Sequence, residues 1–123
     1  MRILFFLLFF QATAFAGQIE RCLVGEAADQ GLIGMTAVGE AIRNRGTLKG
    51  VYGCRSPLYD REPQWVRDMA HRAWIASETS DLTHHATHWE NIKSFGKPYW
   101  VASMEETARI GNHVFYKEIK NVS

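Results

Sequence analysis

The chain has 123 residues, of which 46% are hydrophobic and 22% are charged, a composition typical of one globular domain. Its 14 lysine and arginine residues nearly balance its 13 aspartate and glutamate residues, which gives a formal net charge of +1. Nucleic-acid binding relies on an excess of basic side chains that neutralise phosphates, so we expect no nucleic-acid partner.

The N-terminal residues have the features of a targeting segment. Arg2 supplies a positive charge, residues 3–10 are an unbroken apolar run, and Ala14-Phe15-Ala16 is an A-x-A cleavage site. The apolar run is shorter than the ~20 residues that a membrane-spanning helix needs. We therefore predict a signal peptide over residues 1–16 and a mature chain over residues 17–123. We expect this mature chain to be periplasmic, cell-wall-associated or secreted, without stable membrane anchoring.

Two helices joined by a glycine-containing bend are predicted next. Apolar residues recur at i, i+3 and i+4 over residues 18–30, and they do so again over residues 33–45. Gly31 and Gly46 follow these runs as C-terminal stop residues. Glu26 lies near the end of the first helix, and the apolar pattern does not require its charge. It is either a solvated helix carboxylate or, if it faces a groove, a candidate general acid.

Cys22 and Cys54 are the only two cysteines of the chain. An even cysteine count in an exported protein favours a disulfide, which here would join the first helix to the loop after the second. Such a bridge would stabilise a small domain by about 2–4 kcal/mol. Two buried free thiols are the alternative, and no Cys-His pattern indicates a catalytic cysteine.

The middle of the chain combines an irregular segment with a third helix. Residues 47–63 contain glycine, proline and aspartate at spacings that predict turns. Helical periodicity returns over residues 64–77, after Pro63. Trp65 and Trp74 of this helix are predicted to lie in the core, since aromatic residues at helical spacing usually pack.

The remaining residues predict a small β part. Residues 83–90 are rich in Thr, His and Trp without helical periodicity, which predicts a short strand. Val114, Phe115 and Tyr116 favour another strand after a Gly-Asn turn. Helices first and a small sheet later predict one α+β domain.

Three sequence elements together resemble the SleB-type cell-wall hydrolases, a family of spore-cortex-lytic and related peptidoglycan-cleaving enzymes. Residues 25–45 read GEAADQGLIGMTAVGEAIRNR, and the single glutamate of the family element aligns with Glu26. Residues 109–115 match the closing R-I-G-N-H-x-F element fully. Residues 81–91 correspond to the D-P-T-G-G-A-L-x-F-Y-N-P element, but His84-His85 replace the glycine pair and Ile92 stands at the final proline.

This resemblance implies a lysozyme-like, lytic-transglycosylase-type fold with a groove for peptidoglycan glycan strands, in which residues 17–123 are the catalytic domain. It implies cleavage between N-acetylmuramic acid and N-acetylglucosamine by a lytic transglycosylase or a muramidase. In a single-acid mechanism Glu26 protonates the glycosidic oxygen and then accepts the C6 hydroxyl proton, which yields a 1,6-anhydro product without a cofactor. A two-carboxylate mechanism would need a second acidic residue, for which Glu40, Asp81 and Glu90 are candidates.

Substrate contacts are expected from two kinds of side chain around Glu26. Aromatic rings would cover sugar faces, and amide, hydroxyl or imidazole groups would bind the N-acetyl groups. The aromatic candidates are Trp89, Trp100, Tyr99 and Tyr116. The polar candidates are Thr83, Asn91, Asn112 and His113. For Asn112 the alternative is turn formation, and for His113 it is a satisfied interior position.

Two other functional hypotheses compete with this one. His84 and His88 have the spacing of a zinc pair on a helix, with His85 between them, so a zinc-dependent hydrolase is the first alternative. Residues four apart on a strand lie about 13 Å from each other, too far to share one ion, and we therefore predict no metal site. The second alternative is a non-catalytic glycan-binding module, for which Glu26 would be dispensable.

Overall fold

The computed structural model describes residues 17–120, so the predicted signal peptide and its cleavage site lie outside it. Within this range the chain forms five α-helices: α1 (residues 17–27), α2 (Gly31–Arg45), α3 (Leu58–Arg61), α4 (Gln64–Ala76) and α5 (Ile92–Phe95). Short 3-10 helices lie at Ala28–Gln30, Tyr52–Arg55 and Tyr99–Ser103. None of the described helices is both long enough and apolar enough to cross a membrane.

The described strands form one antiparallel sheet: β1 (His88–Glu90), β2 (Met104–Ile110) and β3 (His113–Glu118), in the order β1-β3-β2. Strand β3 is central, and its residues 113–116 are all buried. The turn between β2 and β3 contains Gly111 at φ +59°, a left-handed conformation that glycine adopts without steric cost. The predicted Gly-Asn turn and the strand that follows it are confirmed.

Helix α2 lies at the centre of the core. Its residues 34–42 are all buried, so the helix contacts protein on every side. Helix α4 packs closely on α2, and a Cβ placed on Gly39 would lie 3.0 Å from the Cβ of Ser77. Helix α1 and strand β3 contribute further core side chains, among them Leu23 and Phe115, which are fully buried. The helices and the small sheet thus share one core, as predicted for an α+β domain.

The predicted helical hairpin and the third helix are confirmed, but the buried face of α4 was misassigned. Its buried residues are Val66, Ala70 and Ala73, at i, i+4 and i+7, whereas Trp65 is exposed. The core position predicted for Trp65 is therefore wrong. Trp74 is half-buried, and its ring stacks on the guanidinium of Arg43, with the Cζ atom 3.5 Å from the ring centroid.

The strand predicted over residues 83–90 is wrong in its first part, because only β1 pairs in the sheet. The Glu40 carboxylate accepts hydrogen bonds from the backbone N–H groups of Leu82 and Thr83, at 2.9 Å each. His84 and His85 have φ angles of +55° and +69°, which a strand excludes. His84 and His85, which replace the glycine pair of the SleB-type sequence element, thus adopt a backbone conformation that glycine adopts most easily.

The predicted disulfide is confirmed. Cys22 of α1 and Cys54 of the 3-10 helix Tyr52–Arg55 are bonded across a separation of 32 residues. The bridge holds this short helix against α1, close to Glu26.

Candidate active site

A groove of about 700 Å³ lies between the end of α1, the 3-10 helix Tyr52–Arg55 and strand β1. Its volume falls within the ~300–1,000 Å³ range of ordinary ligand sites. The carboxyl group of Glu26 lies in this groove, between Gly53 and Trp89. The acidic residue that the helical pattern did not require therefore faces a cavity rather than the open surface.

Two N–H donors from different segments hold the Glu26 carboxylate. The backbone N–H of Gly53 donates to Oε2 at 2.5 Å, and the indole Nε1–H of Trp89 donates to Oε1 at 2.8 Å. A carboxylate offers about four lone-pair sites, so these bonds leave about half of them free. The group is fixed in direction and keeps sites for exchange of a proton with a ligand.

Two glycines permit this close approach. A Cβ placed on Gly53 would lie 2.6 Å from the Glu26 Cγ, and a Cβ placed on Gly25 would collide with the Gly53 carbonyl. A larger residue at either position would push the Gly53 segment away from Glu26. The disulfide at Cys54, which directly follows Gly53, holds the same contact.

The charged groups around Glu26 are partly withdrawn from water. Burial raises the pKa of Glu90, the N–H of Asn91 opposes this, and the charge of Glu26 raises the pKa further. Burial lowers the pKa of Arg45, and the charge of Glu26 opposes that shift. The Arg45 guanidinium lies 5.5 Å from the centroid of the Trp89 ring. The groove thus contains a second carboxyl group whose protonated form is favoured relative to that of an exposed glutamate.

His113 is a buried imidazole in the groove wall. The residue is 4% exposed, and burial lowers its pKa, although the charges of Glu26 and Asp29 oppose this. Its Nδ1 atom has no hydrogen-bond partner among the residues that the structure describes. The ring is therefore neutral near pH 7 in the folded protein.

Aromatic rings form much of the remaining wall. Trp100 packs between His88 and Tyr116, with ring centroids 5.4 Å and 5.5 Å away. Tyr52 and Phe95 also line the groove, and both are largely exposed. Neither was predicted from the sequence, because a single aromatic residue in a short irregular segment carries no periodic signal.

Several predicted site residues lie together in this groove. They are Glu26, Trp89, Asn91, Trp100 and His113. Asn91 also caps α5, because its Oδ1 accepts a hydrogen bond from the backbone N–H of Ser94 at 3.0 Å. Its side-chain NH₂ group is the part left for a ligand.

Other predicted ligand contacts do not line the groove. Thr83 is fully buried and bonds to Glu40 through its N–H and Oγ1, and Tyr116 is buried behind Trp100. Asn112 lies in the turn after β2, where its backbone N–H donates to Gln30 Oε1 at 2.8 Å. Tyr99 is exposed outside the groove. The structure therefore places these four side chains outside the groove lining.

Among the three candidates for a second carboxylate, Glu90 is the one that lines the groove. Glu40 is 3% exposed, and its oxygens accept hydrogen bonds from Ser80 Oγ, Leu82 N, Thr83 N and Thr83 Oγ1. Asp81 is exposed beside a smaller cavity of about 240 Å³. The structure therefore gives Glu40 a role in holding the loop after α4.

The histidine cluster has no metal-binding geometry in the described part of the chain. Within residues 17–120, no three His, Cys, Asp or Glu side chains are close enough to hold an ion. His84 and His85 are exposed on the loop, whereas His88 packs against Trp100 in the sheet. The zinc-dependent alternative therefore has no ligand set among these residues.

No protein-family model and no curated protein sequence matches the chain. Among solved structures, it is similar to the catalytic domain of the germination-specific lytic transglycosylase SleB from Bacillus anthracis, with a TM-score of 0.60 and 23% identity over 83% of this chain and 93% of that one. It is also similar to the catalytic domain of the Bacillus cereus SleB protein, with a TM-score of 0.59 and 23% identity over 83% of this chain and 88% of that one. The chain thus has the lysozyme-like α+β fold of the SleB catalytic domains.

Proposed function

We propose that this chain is a peptidoglycan-cleaving glycosidase that acts between N-acetylmuramic acid and N-acetylglucosamine. The observation that carries the proposal is the Glu26 carboxyl in the groove, with each oxygen held by an N–H donor from a different wall. The fold shared with SleB, a lytic transglycosylase, supports the same reaction class. Positioned carboxyl groups act as general acids in glycosidic bond cleavage.

In the first step protonated Glu26 gives its proton to the glycosidic oxygen. The bond between that oxygen and C1 of the N-acetylmuramic acid breaks, and the N-acetylglucosamine leaves with a new hydroxyl group. Glu26 becomes a carboxylate, and the N–H groups of Gly53 and Trp89 stabilise the new negative charge. These two donors are in place beforehand, so they need no rearrangement during the reaction.

In the second step the C6 hydroxyl of the N-acetylmuramic acid attacks C1. Its proton passes to the Glu26 carboxylate, which restores the acid and leaves a 1,6-anhydro product. The cycle is balanced with one carboxyl group, because Glu26 gives up one proton and receives one. It uses no cofactor and no water.

Hydrolysis is the second candidate reaction, and the position of Glu90 favours it. Glu90 lines the same groove, so its carboxylate is available to accept a proton from an attacking water. The product would then have a reducing end instead of an anhydro end. The raised pKa of Glu90 makes its carboxylate a stronger proton acceptor than that of an exposed glutamate.

The expected location agrees with this substrate. A cell-wall glycan is met outside the cytoplasm, where the Cys22–Cys54 disulfide is stable. Peptidoglycan is accordingly the partner that we expect for the mature chain.

Product analysis distinguishes these functions. Wild-type mature protein is incubated with purified peptidoglycan, and the soluble products are analysed by mass spectrometry, with Glu26→Gln as the inactive control. We expect anhydro-muropeptides, which are lighter by one water than the hydrolysis products. Reducing ends would favour the Glu90-assisted hydrolysis, and binding without soluble product would favour the non-catalytic module.

A further inference from the structure

Tyr52 and Phe95 are large apolar rings that remain in contact with water inside the groove. Each is 79% exposed, and both line the cavity that contains Glu26. Single exposed aromatic residues are common on protein surfaces, so exposure alone assigns no role. Their positions relative to Glu26 distinguish them from the other exposed rings.

Both rings belong to segments that hold the Glu26 carboxyl. Tyr52 directly precedes Gly53, whose N–H binds Oε2, and the disulfide fixes this segment. Phe95 is the last residue of α5, the short helix that directly follows β1. Trp89 lies in β1, and its indole N–H binds Oε1 of Glu26. The backbone N–H of Phe95 donates to the Asn91 carbonyl at 3.0 Å, which fixes the helix end. Tyr52 therefore lies on the wall formed by the 3-10 helix Tyr52–Arg55, and Phe95 lies on the wall that carries β1.

The chemistry around the rings suits a sugar. A pyranose has apolar C–H faces, which aromatic rings cover, and polar hydroxyl or amide edges, which need hydrogen-bond partners. The groove offers such partners in Glu26, Glu90, Asn91 and His113. A lipid chain in the same place would offer these four polar groups no further hydrogen-bond partner.

We propose that Tyr52 and Phe95 are stacking platforms for pyranose rings on either side of the glycosidic bond that is presented to Glu26. This assignment rests on the proposed function, because it places a glycan strand across the acid. Two platforms on different walls favour an extended strand over a short fragment, since a fragment that reaches one ring gains half of the stacking. Strand length is therefore a specificity determinant of this groove.

The test measures binding without turnover. Tyr52→Ala and Phe95→Ala are made separately and together in the Glu26→Gln background, and binding is measured by sedimentation with insoluble peptidoglycan. Each single variant should bind about 10-fold more weakly and the double variant about 100-fold more weakly, equivalent to ~1.4 kcal/mol per ring.

Two matched controls remove exposed rings outside the groove. Tyr99 is 92% exposed and Trp65 is 63% exposed, and neither lines the cavity. Tyr99→Ala and Trp65→Ala should bind like the Glu26→Gln parent. Thermal melts of all variants should coincide with that of the parent, because the side chains that change are exposed.

Normal binding by the double variant overturns the proposal, and so does an equal loss in the two controls. Displacement of the protein by free stem peptides, instead of by soluble glycan fragments, overturns it as well. If wild-type protein releases no glycan fragments and the Tyr52 and Phe95 variants still lose binding, the proposed cleavage reaction is contradicted and the stacking role of the two rings is supported. If wild-type protein cleaves and the double variant binds normally, the platforms alone fail.

Discussion

Glu26 and Glu40 belong to the same helical hairpin, and both carboxylates are fully oriented by hydrogen bonds. Glu40 accepts four hydrogen bonds, two on each oxygen, and is 3% exposed. Glu26 accepts two, one on each oxygen, and faces the groove. A carboxylate has about four lone-pair sites, so Glu40 has none left and Glu26 has about two. The number of free sites separates a structural carboxylate from one that can exchange a proton.

Glu40→Gln tests whether the hydrogen bonds of Glu40 stabilise the fold. The amide keeps one acceptor oxygen but turns an NH₂ group toward two of the four donors, which lose their acceptor beside a side chain that is 3% exposed. We expect the free energy of unfolding to fall by roughly 2–4 kcal/mol. For a domain of this size the melting temperature should fall by about 10–20 °C. A melting temperature equal to that of the wild type would show that the four hydrogen bonds are not important for stability.

Reduction of the disulfide tests the Gly53 side of the Glu26 site. Loss of the Cys22–Cys54 bond should lower the free energy of unfolding by about 2–4 kcal/mol and also lower glycan cleavage, because the segment that carries Gly53 is released from α1. The measurement is a thermal melt and an activity assay with and without dithiothreitol.

The control for the reduction experiment is the Cys22→Ala/Cys54→Ala variant, which dithiothreitol should not affect. Unchanged activity of the reduced wild-type protein at a temperature where it is folded would contradict the link between the bridge and Glu26.

Trp89→Phe tests the hydrogen bond between the Trp89 indole and the Glu26 carboxylate. The phenyl ring keeps most of the packing, but the N–H donor to Glu26 Oε1 is lost. A hydrogen bond to a charged group contributes about 1.5–3 kcal/mol, so we expect turnover to fall by roughly 10- to 100-fold. Trp74→Phe, which changes a tryptophan outside the groove, is the matched control. Equal effects of the two substitutions would indicate a general packing loss.

The smallest expected effect concerns pH and His113. Burial lowers the pKa of His113 in the folded state. When the pH falls below the ordinary histidine pKa of about 6.5, the unfolded state therefore binds more protons than the folded state. Stability is therefore complete above that pH and is lost as the pH falls below it. Between pH 7.5 and 5.5 this histidine should contribute a loss of at most about 1 kcal/mol, because the charges of Glu26 and Asp29 oppose the effect of burial on its pKa.

The measurement is a series of chemical denaturation curves across this pH range. His113→Gln should reduce the loss, and His84→Asn, on the exposed loop, is the control. The left-handed backbone at position 84 tolerates asparagine. A pH dependence of His113→Gln identical to that of the wild type would contradict the assignment.

The sequence predicted those features that depend on local periodicity or pairing rules. The helical hairpin, the disulfide and the turn before β3 follow from apolar spacing, cysteine count and Gly-Asn chemistry. Glu26 stood out because its charge has no function in a buried helix pattern. Strand β2 was not predicted, because its sequence MEETARI lacks a regular alternation of apolar and polar residues.

The surroundings of both glutamates depend on contacts between distant segments. Gly53 is 27 residues from Glu26, and Trp89 is 63 residues from it. Thr83 is 43 residues from Glu40. No spacing rule reports such pairs, so the contact between Thr83 and Glu40 was not predicted. For the same reason Tyr52 and Phe95 were missed, because their place beside Glu26 comes from the segments that carry them.

The central claim is that Glu26 is the proton donor, and Glu26→Gln tests it most directly. The substitution keeps the size of the side chain, costs one of two N–H donors its acceptor, and should lower stability by about 1 kcal/mol. Release of soluble fragments from peptidoglycan is measured for Glu26→Gln and for Glu105→Gln, a control on the exposed face of β2. We predict a loss of roughly 10²- to 10⁴-fold for Glu26→Gln and none for Glu105→Gln. Wild-type turnover by folded Glu26→Gln would contradict the account.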